Sequence, residues 1–77
     1  MESGVIPMPP ERVRAIRKKA APSTRAFEAR FGIPSGTLDN WEQGRRSPDA
    51  AARLALRWIE CDPAAAEQAA QDGKETR

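Results

Sequence analysis

Five short polar or bare positions recur along one stretch of the chain: Ser35, Gly36, Asp39, Asn40 and Gln43. On a helix they share the face opposite Leu38 and Trp41, which lie three residues apart and point inward. Their chemistry is hydrogen bonding at short reach. An Asn or Gln amide can pair bidentately with adenine, and an Asp carboxylate can accept from the cytosine amino group. Glycine lets the backbone come close to whatever the face meets. Arg45 and Arg46 follow directly, and Ser23, Thr24 and Arg25 stand one helix earlier. Guanidinium and hydroxyl groups flanking a base-reading face are placed to hold phosphates. The backbone N–H groups that open a helix at Ser23–Thr24 can join them.

Bond-making chemistry is poorly provided for. The chain has no His, no Tyr and one Cys, so proton transfer would fall to carboxylates and lysines alone. No spaced carboxylate pair sits beside an apolar run that would shift its pKa. We therefore read no catalytic residue, no metal ligand set, no cofactor and no small-molecule substrate. A single cysteine, Cys61, cannot form an internal disulfide and is too little for zinc. At a helix junction it reads as a small buried residue. Trp41 and Trp58 read as core, and Glu42 as the ion-pair partner of a nearby arginine.

The net charge of +2 conceals an uneven distribution. Residues 9–57 hold eleven Lys and Arg against five acids, a balance of +6. Residues 58–77 hold two against five, a balance of −3. A basic body with an acidic end suits a polyanion on one side and a different neighbour on the other. No apolar run approaches the roughly 18 residues that span a membrane, and the first residues lack the pattern of a secretory leader. The expectation is a soluble cytoplasmic protein with no membrane partner.

The elements that must position the polar face can be placed from caps and spacing. Residues 1–8 read as a flexible arm, residues 9–71 as one domain and residues 72–77 as a disordered tail. Pro9, Pro10 and Glu11 open a first helix whose Val13, Ile16 and Ala20 form one stripe, and Pro22 stops it. Ser23 caps a second helix carrying Phe27 and Phe31 inward, and Gly32 ends it. Pro34 blocks its continuation. Ser35 is expected to cap the third helix, which ends at Gly44. Ser47, Pro48 and Asp49 read as cap, first helical position and first-turn acid of a fourth helix. Its stripe is drawn through Ala51, Leu54, Ala55, Trp58 and Ile59, with Leu56 off it. Asp62 and Pro63 open an alanine-rich fifth helix, expected to end at Gly73. A 77-residue chain buries only about 60% of its unfolded surface, so the core rests on a few large residues and pairing of two copies would help.

Two helices joined by a short glycine-containing turn form a helix-turn-helix. A helical bundle with polar outer faces has the same outline, so spacing alone leaves a protein-interaction module open. The run from Phe27 to Asp49, FEARFGIPSGTLDNWEQGRRSPD, is similar to the Cro-type (XRE) helix-turn-helix family. More narrowly it resembles short HigA-like antitoxins and related phage regulators. Phe27, Phe31-Gly32-Ile33, Thr37-Leu38, the Trp41-Glu42-Gln43-Gly44-Arg45 exit and Pro48 carry the resemblance. Leu54, Leu56, Ile59 and Asp62-Pro63 extend it into the last two helices.

The resemblance implies an all-α, five-helix bundle of the lambda-repressor-like type, with the third helix as recognition helix. It places base contacts on Ser35, Gly36, Asp39, Asn40 and Gln43. Phosphate contacts fall on Thr24, Arg25, Arg45 and Arg46, with Ser23 and Thr37 beside them. Three residues depart from the pattern. Thr24 stands where Gln is usual, Glu28 where a small Ala lets the two helices meet, and Asp39 where Arg is frequent. For Asp39 we expect pairing with a nearby arginine. The implied partners are an inverted-repeat operator in double-stranded DNA and a second copy of the chain. The implied role is an autoregulatory repressor. A toxin partner would make it an antitoxin; without one it would be a stand-alone regulator of a phage or mobile element.

Overall fold

The computed structural model describes residues 8–75, with side chains to residue 72. The described chain contains five helices and no strand. They are α1 (Pro10–Ala20), α2 (Thr24–Phe31), α3 (Ser35–Glu42), α4 (Ala50–Cys61) and α5 (Pro63–Glu75). None is long and apolar enough to cross a membrane.

Local chemistry accounts for most helix ends. Pro10 sits in the first turn of α1, where its missing N–H costs nothing, with Glu11 beside it at the positive end of the dipole. Pro22 forces Ala21 into an extended conformation (φ −160°, ψ 149°), so α1 closes at Ala20. Ser23 Oγ accepts from the Ala26 N–H at 3.1 Å and starts α2. Gly32 ends α2 in the left-handed region at φ 84°, and its N–H reaches the Glu28 carbonyl at 2.8 Å. Phe27 and Phe31 face inward with ring centroids 4.7 Å apart and tilted by 49°.

Two caps differ from expectation. Ser35 is the first residue of α3 rather than its cap, because Pro34 takes the flanking position. The α4 cap is Asp49, not Ser47; Asp49 Oδ1 accepts from the Ala52 N–H at 2.9 Å. Pro48 is buried and its carbonyl accepts from Arg53 Nη1 at 3.0 Å, so helical geometry starts only after Asp49.

Helix α4 is also rotated from the expected stripe. Leu56 is fully buried and Ile59 nearly so, whereas Leu54 is 69% and Trp58 46% exposed. Ala51 is exposed as well. With α1 and α5 packed against α4, the buried line runs through Ala52, Leu56 and Ile59, at i, i+4 and i+7. Cys61, expected to be buried, is exposed at the end of this helix.

Asp62 Oδ1 caps α5 by accepting from the Ala65 N–H at 3.2 Å. The helix continues through Gly73 to Glu75. A lone glycine costs about 1 kcal/mol in a helix and does not by itself stop one. The last turn therefore overlaps the stretch read as a disordered tail, whose final residues 76–77 lie outside the described residues. Of the expected arm, residues 1–7 lie outside them too. Met8 does not belong to a free arm: it is buried in the core. That core unites Met8, Val13, Ile16, Ala21, Phe27, Phe31, Leu38, Leu56, Ile59 and Ala66, with Trp41 and Ile33 packed on its edge.

Candidate nucleic-acid interface

Helix α3 is held from both ends, and its outer face follows from that. Leu38 is fully buried and Glu42 is 7% exposed, with Trp41 half-buried beside them. These three fix the inward side. Gly36, Asp39, Asn40 and Gln43 then share the outward side by helical periodicity. Ser35 lies nearer the inward edge, in the first turn, and Thr37 lies on the opposite flank; both are half-buried.

The C-terminal end of α3 is clamped to α1. Arg17 donates from Nε to Glu42 Oε2 at 2.9 Å and from Nη2 to Oε1 at 3.2 Å. Arg14 Nη2 donates to the Glu42 backbone carbonyl at 2.7 Å. Donating to the Glu42 carboxylate holds the Arg17 pKa above its ordinary value, against the opposing effect of burial. Glu42 is thus an ion-pair partner and not a base reader.

The N-terminal end is tied to α2 by a contact that the sequence reading missed. Glu28 Oε1 accepts from the Ser35 N–H at 3.0 Å. The departure from alanine at this position supplies the cap that Pro34 cannot. A carboxylate seven residues before a helix start, across a turn, offers no local signal of that role. Glu28→Ala should lower stability by about 1 kcal/mol, the usual worth of a cap. Glu28→Gln, which keeps an acceptor, should lose less; equal thermal melts of all three proteins would contradict the cap.

The exit from α3 brings Arg45 to Asn40. The Asn40 carbonyl accepts from the Arg45 N–H at 2.9 Å and the Arg46 N–H at 3.4 Å. Arg45 Nη1 lies 3.5 Å from Asn40 Oδ1, a long and weak hydrogen bond. Gly44 makes the bend at φ 79°. An amide that can read a base edge thus sits beside a guanidinium that can hold a phosphate. Gln43, Arg45, Arg46, Ser23 and Arg25 are exposed, and Thr24 is half-buried at the start of α2. At Gly36 an added Cβ would meet nothing within 4 Å, so the first turn of α3 is open to close approach.

Asp39 differs from expectation: among the described residues it makes no ion pair within 4 Å. Its charge acts on Arg17 only through space. The carboxylate therefore stands on the outward face as an acceptor.

The basic body is also less basic toward solvent than its sum implies. Arg12 pairs with Glu60 at 2.7 Å and Arg30 with Glu67 at 2.7 Å, while Arg14 and Arg17 hold Glu42. Arg30 Nη1 also donates to the Ala20 carbonyl at 2.9 Å, and its guanidinium lies 5.0 Å from the Phe31 ring centroid. Lys18, Lys19, Arg25, Arg45, Arg46, Arg53 and Arg57 make no ion pair among the described residues. Three of these seven, Arg25, Arg45 and Arg46, flank the α2–turn–α3 unit.

No family model and no curated protein sequence matches the chain. Among solved structures it is similar to an HTH XRE-family like protein from Agrobacterium tumefaciens. The two are 39% identical with a TM-score of 0.69, over 83% of this chain and 97% of the other.

Proposed function

Since the chain belongs to the XRE-like helix-turn-helix family, we propose that it is a sequence-specific repressor that binds double-stranded DNA. The observation that supports this most directly is the outward face of α3. It carries Gly36, Asp39, Asn40 and Gln43 between two anchored ends, with Arg45 folded against Asn40. On this reading α3 enters the major groove. Ser35, Gly36, Asp39, Asn40 and Gln43 address base edges, and Ser23, Thr24, Arg25, Thr37, Arg45 and Arg46 hold the backbone. The repressor acts in the cytoplasm as a homodimer on an inverted repeat, with half-sites about 34–36 Å apart. Occupancy of its own promoter blocks transcription, and no catalytic step is involved.

A salt series on duplexes from the chain's own upstream DNA, against scrambled duplex, tests this reading. Asn40→Ala should cost about 1–3 kcal/mol on the cognate duplex and relax sequence choice. Arg45→Ala should weaken both duplexes alike and reduce the salt slope by about one. If both substitutions act equally on scrambled DNA, the division into base and phosphate contacts fails. Weak, salt-insensitive binding of the wild type to either duplex leaves a protein-interaction bundle in its place.

A second reading, an antitoxin, adds a toxin protein as partner. The exposed Leu54 and Trp58 favour keeping it, since they offer apolar surface to a second protein. Co-expression with the neighbouring reading frame separates the two services: a stoichiometric complex marks the antitoxin, and its absence marks the stand-alone regulator.

A further inference from the structure

We propose that Asp39 sets the operator sequence at one position: its carboxylate demands a cytosine, read through the amino group in the major groove, and rejects the other three bases. The inference rests on the DNA-binding reading and names what one residue of that face recognises. Among the described residues the Asp39 side chain accepts no hydrogen bond and makes no ion pair. Arg17, which feels its charge, grips Glu42 at 2.9 and 3.2 Å, and Arg45 turns to Asn40.

Asp39 is also central to the face. Gly36 lies three residues before it and Gln43 four after, so the three share one line along α3. An aspartate is short and reaches a base edge only if the helix comes close. Gly36 permits that approach, because it has no side chain and the space around its Cβ position is open. A carboxylate at this place enters the groove whenever α3 does. The exposed Arg25, Arg45 and Arg46 on the flanks supply the attraction to the duplex, which leaves Asp39 to discriminate.

In the groove the carboxylate meets a surface made mostly of acceptors. Ionised, it can only accept. Guanine N7 and O6 and thymine O4 repel it, and the donors are the adenine and cytosine amino groups. These two differ in their neighbours. The adenine amino group stands between its own N7 and the O4 of the paired thymine, so the second carboxylate oxygen faces an acceptor on either side. The cytosine amino group has guanine O6 on one side and its own C5–H on the other. The second oxygen can lie over that C–H without repulsion. Opposite any other base the carboxylate gives up water and gains no donor. Asp39 therefore acts by exclusion as much as by attraction.

The test is selection from a duplex library with a randomised core, with the bound fraction sequenced for the wild type, Asp39→Ala and Asp39→Asn. The carboxylate has no partner within the bundle to lose, so both variants should match the helical circular dichroism of the wild type. The wild-type consensus should hold a C·G pair at which any other pair lowers affinity about 10-fold or more in titrations of the single-pair variants. In Asp39→Ala that position alone should accept all four pairs. In Asp39→Asn it should turn to A·T, since an amide pairs bidentately with adenine. A wild type and Asp39→Ala that select the same consensus overturn the proposal and leave the DNA-binding reading intact. So does an Asp39→Ala that binds every duplex more tightly by one common factor, because the carboxylate then only repels phosphates. A position that relaxes in Asp39→Ala but held a base other than cytosine in the wild type overturns it as well. A wild type that enriches no sequence removes the sequence-specific reading and this proposal with it.

Discussion

Replacing Glu42 with alanine should lower the free energy of unfolding by about 2–4 kcal/mol. The carboxylate is 9% exposed, and the Arg17 side chain that grips it through two nitrogens is 12% exposed. Removing the carboxylate leaves a guanidinium with most of its water stripped away and only the more distant charge of Asp39 to offset it. The loss falls short of the extreme for a buried pair because Arg14, the second cation at this site, is 45% exposed and stays hydrated. Arg17 still donates to the Pro22 carbonyl at 3.1 Å, which retains part of its bonding. For a domain whose total stability is about 0.05–0.15 kcal/mol per residue, the change removes a large share. Urea unfolding measures it directly, and the melting temperature should fall by more than about 10 °C. Raising the salt should leave the difference largely intact, unlike the effect of breaking the exposed Arg12–Glu60 pair. A loss below about 0.5 kcal/mol would place the Glu42 pair among ordinary surface ion pairs.

Gly36→Leu should separate folding from DNA binding. A Cβ at this exposed position meets nothing within 4 Å, so a larger side chain can extend toward solvent. Leucine is also the better helix former, by up to about 1 kcal/mol, so stability should hold or rise. Operator affinity should fall more than about 100-fold, since four carbons now stand where the first turn of α3 would meet base edges and displace the contacts on either side. Gly36→Ala should fall between the two proteins. Paired thermal melts and duplex titrations check both halves of the statement. If Gly36→Leu binds as the wild type does, the first turn of α3 stays out of the groove. The base contacts proposed for Ser35 and Gly36 would then be withdrawn, and the reading face would begin at Asp39.

The parts of this fold legible in the sequence are those decided within a few residues. The Ser23 cap, the Gly32 reversal, the Phe27–Phe31 pair and the two inward anchors of α3 need no neighbour to define them. What escaped the reading depends on elements distant in sequence. The rotation of α4 is set by α1 and α5 packing on either side, so periodicity alone could not choose Leu56 over Leu54 and Trp58. The cap on α3 comes from α2, across the turn, through Glu28. A count of charges could not tell the arginines that hold this bundle together from those left facing outward; Arg12, Arg14, Arg17 and Arg30 belong to the first kind. Asp39 was misjudged for the opposite reason. The arginines near it are engaged elsewhere, Arg17 with Glu42 and Arg45 against Asn40.

Helix α5 is lightly pinned. Among its described side chains only Ala66 enters the core; Pro63, Ala65 and Ala70 are half-buried beside it, and the polar ties are the Arg30–Glu67 pair and a 3.5 Å contact from Gln71 to the Arg30 carbonyl. A helix held in this way opens at a cost well below that of unfolding the whole domain.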